Sequence, residues 1–370
     1  MKTDIGDPHL RSEPEYRQPV REPILLLNLP PRESGHFPPS FLRQKAPEAV
    51  DSCIVHADDF GSVLSHVIAS FATILEQTFD IGTLYVQNPP KRAFDSLKAA
   101  QPQETLEIIH HEYPVINKTK LESIHRNLQE KVLGQDGGKE MLIASLYRLS
   151  VMNDDKPSVI LFYGPSGVGK TETARCLSND DGGEITRVQF SMMQTQEAYE
   201  YLFGAEHSKA SFARDLLARE SNIVLIDEID KVDPRLYNMF YQLFDEGLYV
   251  DTNYDVDMKN ALFLLTSNFK SEAEAQRVMG AAMFSRIGAC VRFYDLEKEK
   301  KMQILTDHFK QVVSKLDEKD RDLITQSDIL EWFTENVAKY DNVRTMKNKL
   351  EMAVFRKLSS LIISPCKKDT

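Results

Sequence analysis

The chain has 370 residues, 27% of them charged and 42% hydrophobic, with a formal net charge of −11. Two or three domains with sizeable cores are expected at this length. The acid excess argues against a general nucleic-acid coat and leaves such a role only to a local basic patch. Cys53, Cys176, Cys290 and Cys366 stand singly, without zinc-ligand spacing or a disulfide pattern.

Residues 1–50 form a Pro-, Arg- and Glu-rich arm. Pro19, Pro23, Pro30, Pro31, Pro38 and Pro39 break any regular element, and only Ile24-Leu25-Leu26-Leu27 could dock or pair. Met1-Lys2-Thr3-Asp4-Ile5 lacks the apolar core of a signal peptide. The greasiest stretch, Val63–Leu75, is broken by Ser65, His66, Ser70 and Thr73 and is too short to span a bilayer. A soluble cytoplasmic protein is therefore expected. Residues 51–112 are expected to be a small α/β module. Val63, Val67, Phe71 and Leu75 are spaced for a helix over Val63–Phe79, followed by a strand over Gly82–Val86 and short helices over Ala93–Ala100 and Glu104–His111. His110-His111-Glu112 does not share a helix face, so metal binding there is the lesser reading.

From Tyr113 the pattern sharpens. Helices are predicted over Leu121–Val132 and Gly138–Ser150, then a buried strand, Ser158–Tyr163. Next come a glycine-rich loop and helix, a strand over Ile185–Phe190, a helix over Ser211–Arg219, and the apolar strand Ile223–Ile226 ending in Asp227-Glu228. A helix over Pro234–Glu246 and a hairpin over Leu248–Met258 precede strands at Ala261–Leu265 and Val291–Phe293. Strands alternating with helices predict an α/β fold: a parallel sheet between helical layers, an αβα sandwich of the P-loop kind. Glu297–Leu316, Asp328–Ala338 and Asp341–Ile363 follow with no strand between them. They predict an all-helical C-terminal unit, with Asp341 as the N-cap of the last helix.

The loop is Gly164-Pro165-Ser166-Gly167-Val168-Gly169-Lys170-Thr171, with Glu172 just inside the helix. Strand, glycine-rich loop and helix in this order make a phosphate cradle: backbone N–H groups curl inward and the helix N-terminus adds partial positive charge. Lys170 is placed to reach β- and γ-phosphates and the Thr171 hydroxyl to hold Mg²⁺. Asp227 ends its strand at the edge where ligands bind, placed to hold Mg²⁺ through water, and Glu228 beside it to polarise an attacking water. Asn268 ends the next strand and could hydrogen-bond that water or a γ-phosphate. Arg286 and Arg344, taken alone, read as surface arginines.

Together these segments resemble the Clp-type AAA+ ATPases, the branch of bacterial protein unfoldases and their torsin relatives, over about Tyr113–Ile363. Val132-Leu133-Gly134-Gln135 is similar to the segment that frames adenine, Gly164–Thr171 to Walker A, and Ile226-Asp227-Glu228 to Walker B. Thr266-Ser267-Asn268 resembles sensor 1, Phe284-Ser285-Arg286-Ile287 the arginine-finger segment, and Val343-Arg344-Thr345-Met346-Lys347 sensor 2. The resemblance implies ATP and Mg²⁺ as cofactors and an ATPase subdomain over residues 113–294 with a helical lid over 295–370. It further implies a ring, commonly hexameric, in which Arg286 reaches the neighbour's γ-phosphate. A protein partner, unidentified, would be remodelled or regulated. The alternatives are a slow nucleotide-gated assembly scaffold and a nucleic-acid-dependent motor or loader. Nucleic acid is not indicated by the short loops, which offer mainly Lys209 and Arg214. The family's Gly-aromatic-Val-Gly pore loop is missing from Phe203–Phe212, and Gly288 stands where the family has an acidic residue. Phe212 is expected to pack in a core. Tyr249 and Tyr254 are open to either strand pairing or lining a channel.

Overall fold

The computed structural model describes residues 48–100, 105–111, 113, 116–152, 156–179, 183–193, 195–205 and 209–363. The Pro-rich arm up to residue 47, Glu112 and Cys366 lie outside the described residues. The chain divides into two compact units: Met1–Pro114 with Met192–Arg219 and Asn238–Lys259, and Val115–Ser191 with Glu220–Tyr237 and Asn260–Thr370.

The elements begin with β1 (Glu48–Val55), α1 (Ser65–Ala69), α2 (Phe71–Thr78), β2 (Phe79–Val86) and α3 (Lys91–Ala100). Then come α4 (Lys118–Lys131), α5 (Asp136–Val151), β3 (Ser158–Tyr163), α6 (Lys170–Asn179), β4 (Thr186–Gln189), α7 (Thr195–Phe203), α8 (Phe212–Leu217) and β5 (Ile223–Asp227). The middle of the chain adds α9 (Met239–Glu246), β6 (Leu248–Val250), β7 (Asp255–Asp257), β8 (Leu262–Thr266), α10 (Glu272–Met279), α11 (Ala281–Phe284) and β9 (Ala289–Arg292). The last four are α12 (Lys298–Ser314), α13 (Glu318–Thr325), α14 (Ile329–Glu335) and α15 (Val343–Ile363).

The second unit is built on a five-stranded sheet in the order β4-β5-β8-β3-β9, every pairing parallel. This is the expected P-loop α/β sheet. Its strands read as unbroken apolar runs because both faces are covered. One face, through Ile160, Phe162, Leu225 and Leu264, packs on Leu121, Ile124 and Leu128 of α4, Leu142 and Leu146 of α5, and Leu177 of α6. The alternate residues Val159, Leu161, Val224, Ile226, Phe263 and Leu265 are equally buried. Phe162 is level with Thr266, and Gln189 with Asp227. The parallel register therefore brings the carboxyl ends of β3, β5 and β8 side by side, with Gly164, Asp227 and Ser267-Asn268 at the same edge.

The C-terminal helices hold a core of their own from Leu305, Phe309, Ile324, Phe333, Met346, Leu350 and Val354. Four α-helices stand where three were expected, because α13, opened by the Asp317 cap, falls in a polar stretch whose Ile324 is its one buried residue. Asp341 is not the cap of α15. The Asn342 side chain accepts from the backbone N–H of Arg344 at 2.8 Å and of Thr345 at 3.4 Å.

In the first unit, β1 and β2 pair in parallel with α1 and α2 between them. The single helix expected over Val63–Phe79 is two, broken at Ser70, and Phe79 already belongs to the strand. The helix expected over Glu104–His111 is absent among the described residues. Chain-distant bonds tie the unit together. Lys91 pairs with Asp255 at 2.7 Å and donates from Nζ to the Asp251 carbonyl at 2.9 Å, while Arg214 pairs with Asp58 at 3.2 Å. The β6–β7 hairpin is antiparallel, as expected. Tyr249 and Tyr254 are buried, and the Tyr249 hydroxyl donates to the Leu202 carbonyl. Phe212 lies fully buried against Tyr201, Phe240 and Tyr249, with ring centroids 6.0, 6.0 and 4.9 Å away. These three aromatics pack the core and offer nothing to a channel. Among the described residues no helix is long and apolar enough to cross a membrane, and no group of three or more His, Cys, Asp or Glu is placed to hold a metal ion.

Candidate nucleotide-binding and catalytic site

The glycine-rich loop leaves β3 and enters α6 through backbone that only glycine adopts easily: φ is +135° at Gly164, +78° at Gly167 and +107° at Gly169. A side chain at Gly164 would also collide with the Phe293 carbonyl oxygen. Phe293 in turn donates its N–H to the Tyr163 carbonyl at 2.8 Å, so the end of β9 braces the loop's entry. The result is a nest of backbone N–H groups at a helix N-terminus, the geometry that takes a phosphate chain. Ser166 and Pro165 are exposed at its rim, whereas Val168 is buried in the core below.

Lys170 is only 8% exposed. Its Nζ donates to the Gly164 carbonyl at 2.7 Å, the Pro165 carbonyl at 2.6 Å and Asn268 Oδ1 at 3.4 Å. All three donors are satisfied by the chain itself, so a phosphate oxygen reaching Lys170 would have to replace one of these acceptors. Burial pushes the Lys170 pKa down to about 8, while Asp230, Asp227 and Glu228 pull it back up. Asn268, which the sequence places at a strand end, is thereby brought onto the loop lysine. Its own N–H donates to Asp230 Oδ1 at 3.3 Å.

Asp227 is buried, with both carboxylate oxygens engaged. Oδ2 accepts from Arg187 at 2.5 Å (Nη2) and 3.1 Å (Nε), and Oδ1 accepts from the Thr266 hydroxyl. Glu228 sits in the left-handed region, φ 58° and ψ 47°, where non-glycine residues mark turns and functional sites. Its N–H donates to Thr266 Oγ1 at 3.0 Å, and its Oε2 lies 3.5 Å from Gln189 Nε2. Arg187 Nη2 reaches Gln189 Oε1 at 3.2 Å. Arg187, Gln189 and Thr266 thus join the two carboxylates in one network. No motif in the sequence marks the first two, which sit on β4 two residues apart. The oxygen donors of Thr171 and Asp227 suit a hard cation such as Mg²⁺.

Val132 is buried beside the loop, its Cγ1 3.9 Å from where a side chain on Gly169 would begin. Leu133 is half-buried next to it. Gln135 locks this segment: its amide donates to the Tyr294 carbonyl at 2.7 Å and the Val168 carbonyl at 3.3 Å, and accepts the Tyr294 N–H at 2.9 Å. Glu172 lies on the exposed side of α6, 4.0 Å from Arg175. Arg286 is half-buried after α11 and donates from Nη1 to the Ala282 carbonyl at 2.5 Å. Arg344 is exposed in the first turn of α15.

Residues 155–316 match the family model described as an AAA domain (Cdc48 subfamily). The chain carries a Clp-type AAA+ ATPase module. It is similar to a ClpA homolog protein of Fuscovulum blasticum, 33% identical over 178 residues, which cover 45% of this chain and 22% of that relative. The AAA+ ATPase ClpV1 of Pseudomonas aeruginosa is 34% identical over 163 residues, 40% of this chain and 18% of the relative. Chaperone protein ClpB 2 of Nostoc sp. is 26% identical over a longer stretch, 278 residues, 66% of this chain and 32% of the relative. The matched stretch thus spans about a third or less of these relatives' length.

Proposed function

We propose that the chain binds ATP with Mg²⁺, hydrolyses it in a ring of like subunits, and uses the energy to remodel or regulate a protein partner. The observation that carries this is the convergence of Lys170, Asp227, Glu228 and Asn268 at the carboxyl edge of adjacent parallel strands, over a loop shaped by positive-φ glycines. The loop from Gly164 to Thr171, with Glu172 behind it, takes the phosphates, and Val132 and Leu133 flank the base. Lys170 exchanges its carbonyl acceptors for β- and γ-phosphate oxygens. Mg²⁺, held by Thr171 and through water by Asp227, would neutralise charge developing on those oxygens. Glu228 polarises the attacking water, and Asn268, already bonded to Lys170, orients it or the γ-phosphate. Arg286 serves the neighbouring subunit's site, and Arg344, on α15, closes the helical unit over the nucleotide. Membership of the Clp-type branch and relatives named as chaperones support a protein partner, with the first unit as the surface that selects it.

The test is Glu228→Gln. The amide keeps the shape but cannot take the water's proton, so the variant should bind ATP like the original chain and lose turnover by about 10²-fold or more. An unchanged rate would remove Glu228 from the chemistry. The variant, held in ATP, is also the bait for affinity capture of the partner.

A further inference from the structure

Asn342 belongs to none of the motifs above, yet it is the residue that joins the last helix to the phosphate loop. Its Oδ1 caps α15, accepting the N–H groups of Arg344 and Thr345, while its backbone carbonyl accepts the N–H of Met346 at 3.0 Å. The other end of the same amide leaves the helix: Nδ2 donates to Ser166 Oγ at 2.9 Å, across 176 residues of chain. The amide also fills the space that a side chain on Gly167 would need, with Oδ1 in collision range and Cγ 2.9 Å from where that Cβ would stand. Gly167 is therefore bound to be glycine twice over, by its φ of +78° and by the amide lying on it.

We propose that Asn342 is a positioning residue that docks α15 on the phosphate loop and reads whether the loop is filled. The proposal rests on the nucleotide reading above. Ser166 and Gly167 belong to the glycine-rich loop that the reading above assigns to the phosphate chain. The amide that touches them is neutral, and the end turned toward Ser166 is a donor, the polarity that tolerates a polyanion nearby. Because Oδ1 is committed to the helix N-terminus, Nδ2 cannot shift toward new acceptors without moving the start of α15 and with it Arg344. A change in the loop is thus passed to the helix through one side chain.

Capping alone and docking make different predictions for Asn342→Asp. Aspartate caps a helix as well as asparagine does, so a residue that only caps would be replaced without effect. A docking residue would not, because the carboxylate places a negative charge against the phosphates. With the full chain, we expect Asn342→Asp to melt at an unchanged temperature without nucleotide. It should bind a fluorescent ATP analogue with Mg²⁺ about tenfold or more weakly, and lose more for ATP than for ADP, which carries one charge fewer. A double-mutant cycle of Ser166→Ala and Asn342→Ala, read by ATP affinity, should be non-additive, the second change adding little once the first has cut the bond. Unaltered affinity in Asn342→Asp, or additive losses in the cycle, would overturn the docking role while the function above stood. Should Asn342→Asp melt early, the cycle decides. Failure of the original chain to bind either nucleotide would bring down both.

Discussion

Lys170 makes the nucleotide site testable without any turnover. Burial holds its free-state pKa near 8 against an ordinary 10.5, despite the opposing pull of Asp230, Asp227 and Glu228. A nucleotide adds negative charge beside the ammonium and returns the pKa toward the ordinary value. Binding must then take up a proton wherever the free lysine is part-neutral and the bound one is not. At pH 8 about half of the free chains carry neutral Lys170, so uptake should be about 0.5 proton per nucleotide, falling to about 0.1 at pH 7 and rising to about 0.9 at pH 9. Affinity should fall as pH rises above about 8, by at most about tenfold per unit. The effect on folding has the opposite sense. Because the folded pKa lies below the unfolded one, the buried charge is a cost fully present below about 8 that is relieved as pH rises from there toward 10.5. Calorimetric titration with Mg²⁺–ADP, which is not turned over, in two buffers of different ionisation enthalpy gives the proton count directly. Equal binding enthalpies in the two buffers at pH 8 would refute the burial argument, since they mean that the lysine keeps its proton throughout.

Further outcomes are expected. Phe212→Ala should destabilise the chain by about 3–5 kcal/mol in denaturant unfolding, as a buried ring lost from a cluster of aromatics. Tyr199→Ala, a half-exposed ring stacked on Phe203 at 4.2 Å, should cost under about 1 kcal/mol. With ATP the chain should leave a folded, tailed fluorescent reporter intact, since Phe212, Tyr249 and Tyr254 are all committed to packing. Reporter unfolding that disappears in Tyr199→Ala would show that this exposed ring grips polypeptide. If Arg286 serves a neighbour's site, specific ATPase activity should rise with protein concentration. Mixing Arg286→Ala with Glu228→Gln subunits should then restore part of the turnover that each lacks. A concentration-independent rate from a species that stays monomeric with ATP would contradict that role.

What the sequence by itself determined is local in the chain. The phosphate loop is one unbroken segment whose glycines dictate its own backbone, and strands β3, β5 and β8 announce themselves as apolar runs ending in Tyr163, Asp227 and Thr266. Parallel pairing then lines up those ends almost without further instruction. Short or polar elements were hidden for the same reason. β1 is stabilised by pairing with β2 across two intervening helices, and α13 by its Asp317 cap and the packing of Leu323 and Ile324, so neither carries a periodic signal. Only the tertiary structure decided which side chains meet. Arg187 closes on Asp227 because neighbouring strands place them on one face, and Lys170 turns to Asn268 across 98 residues. Asn342 rather than Asp341 caps α15, with the other end of its amide on Ser166. Such bonds are set by the register of strands and the docking of helices. Those depend on the whole core, and no window of sequence contains both partners.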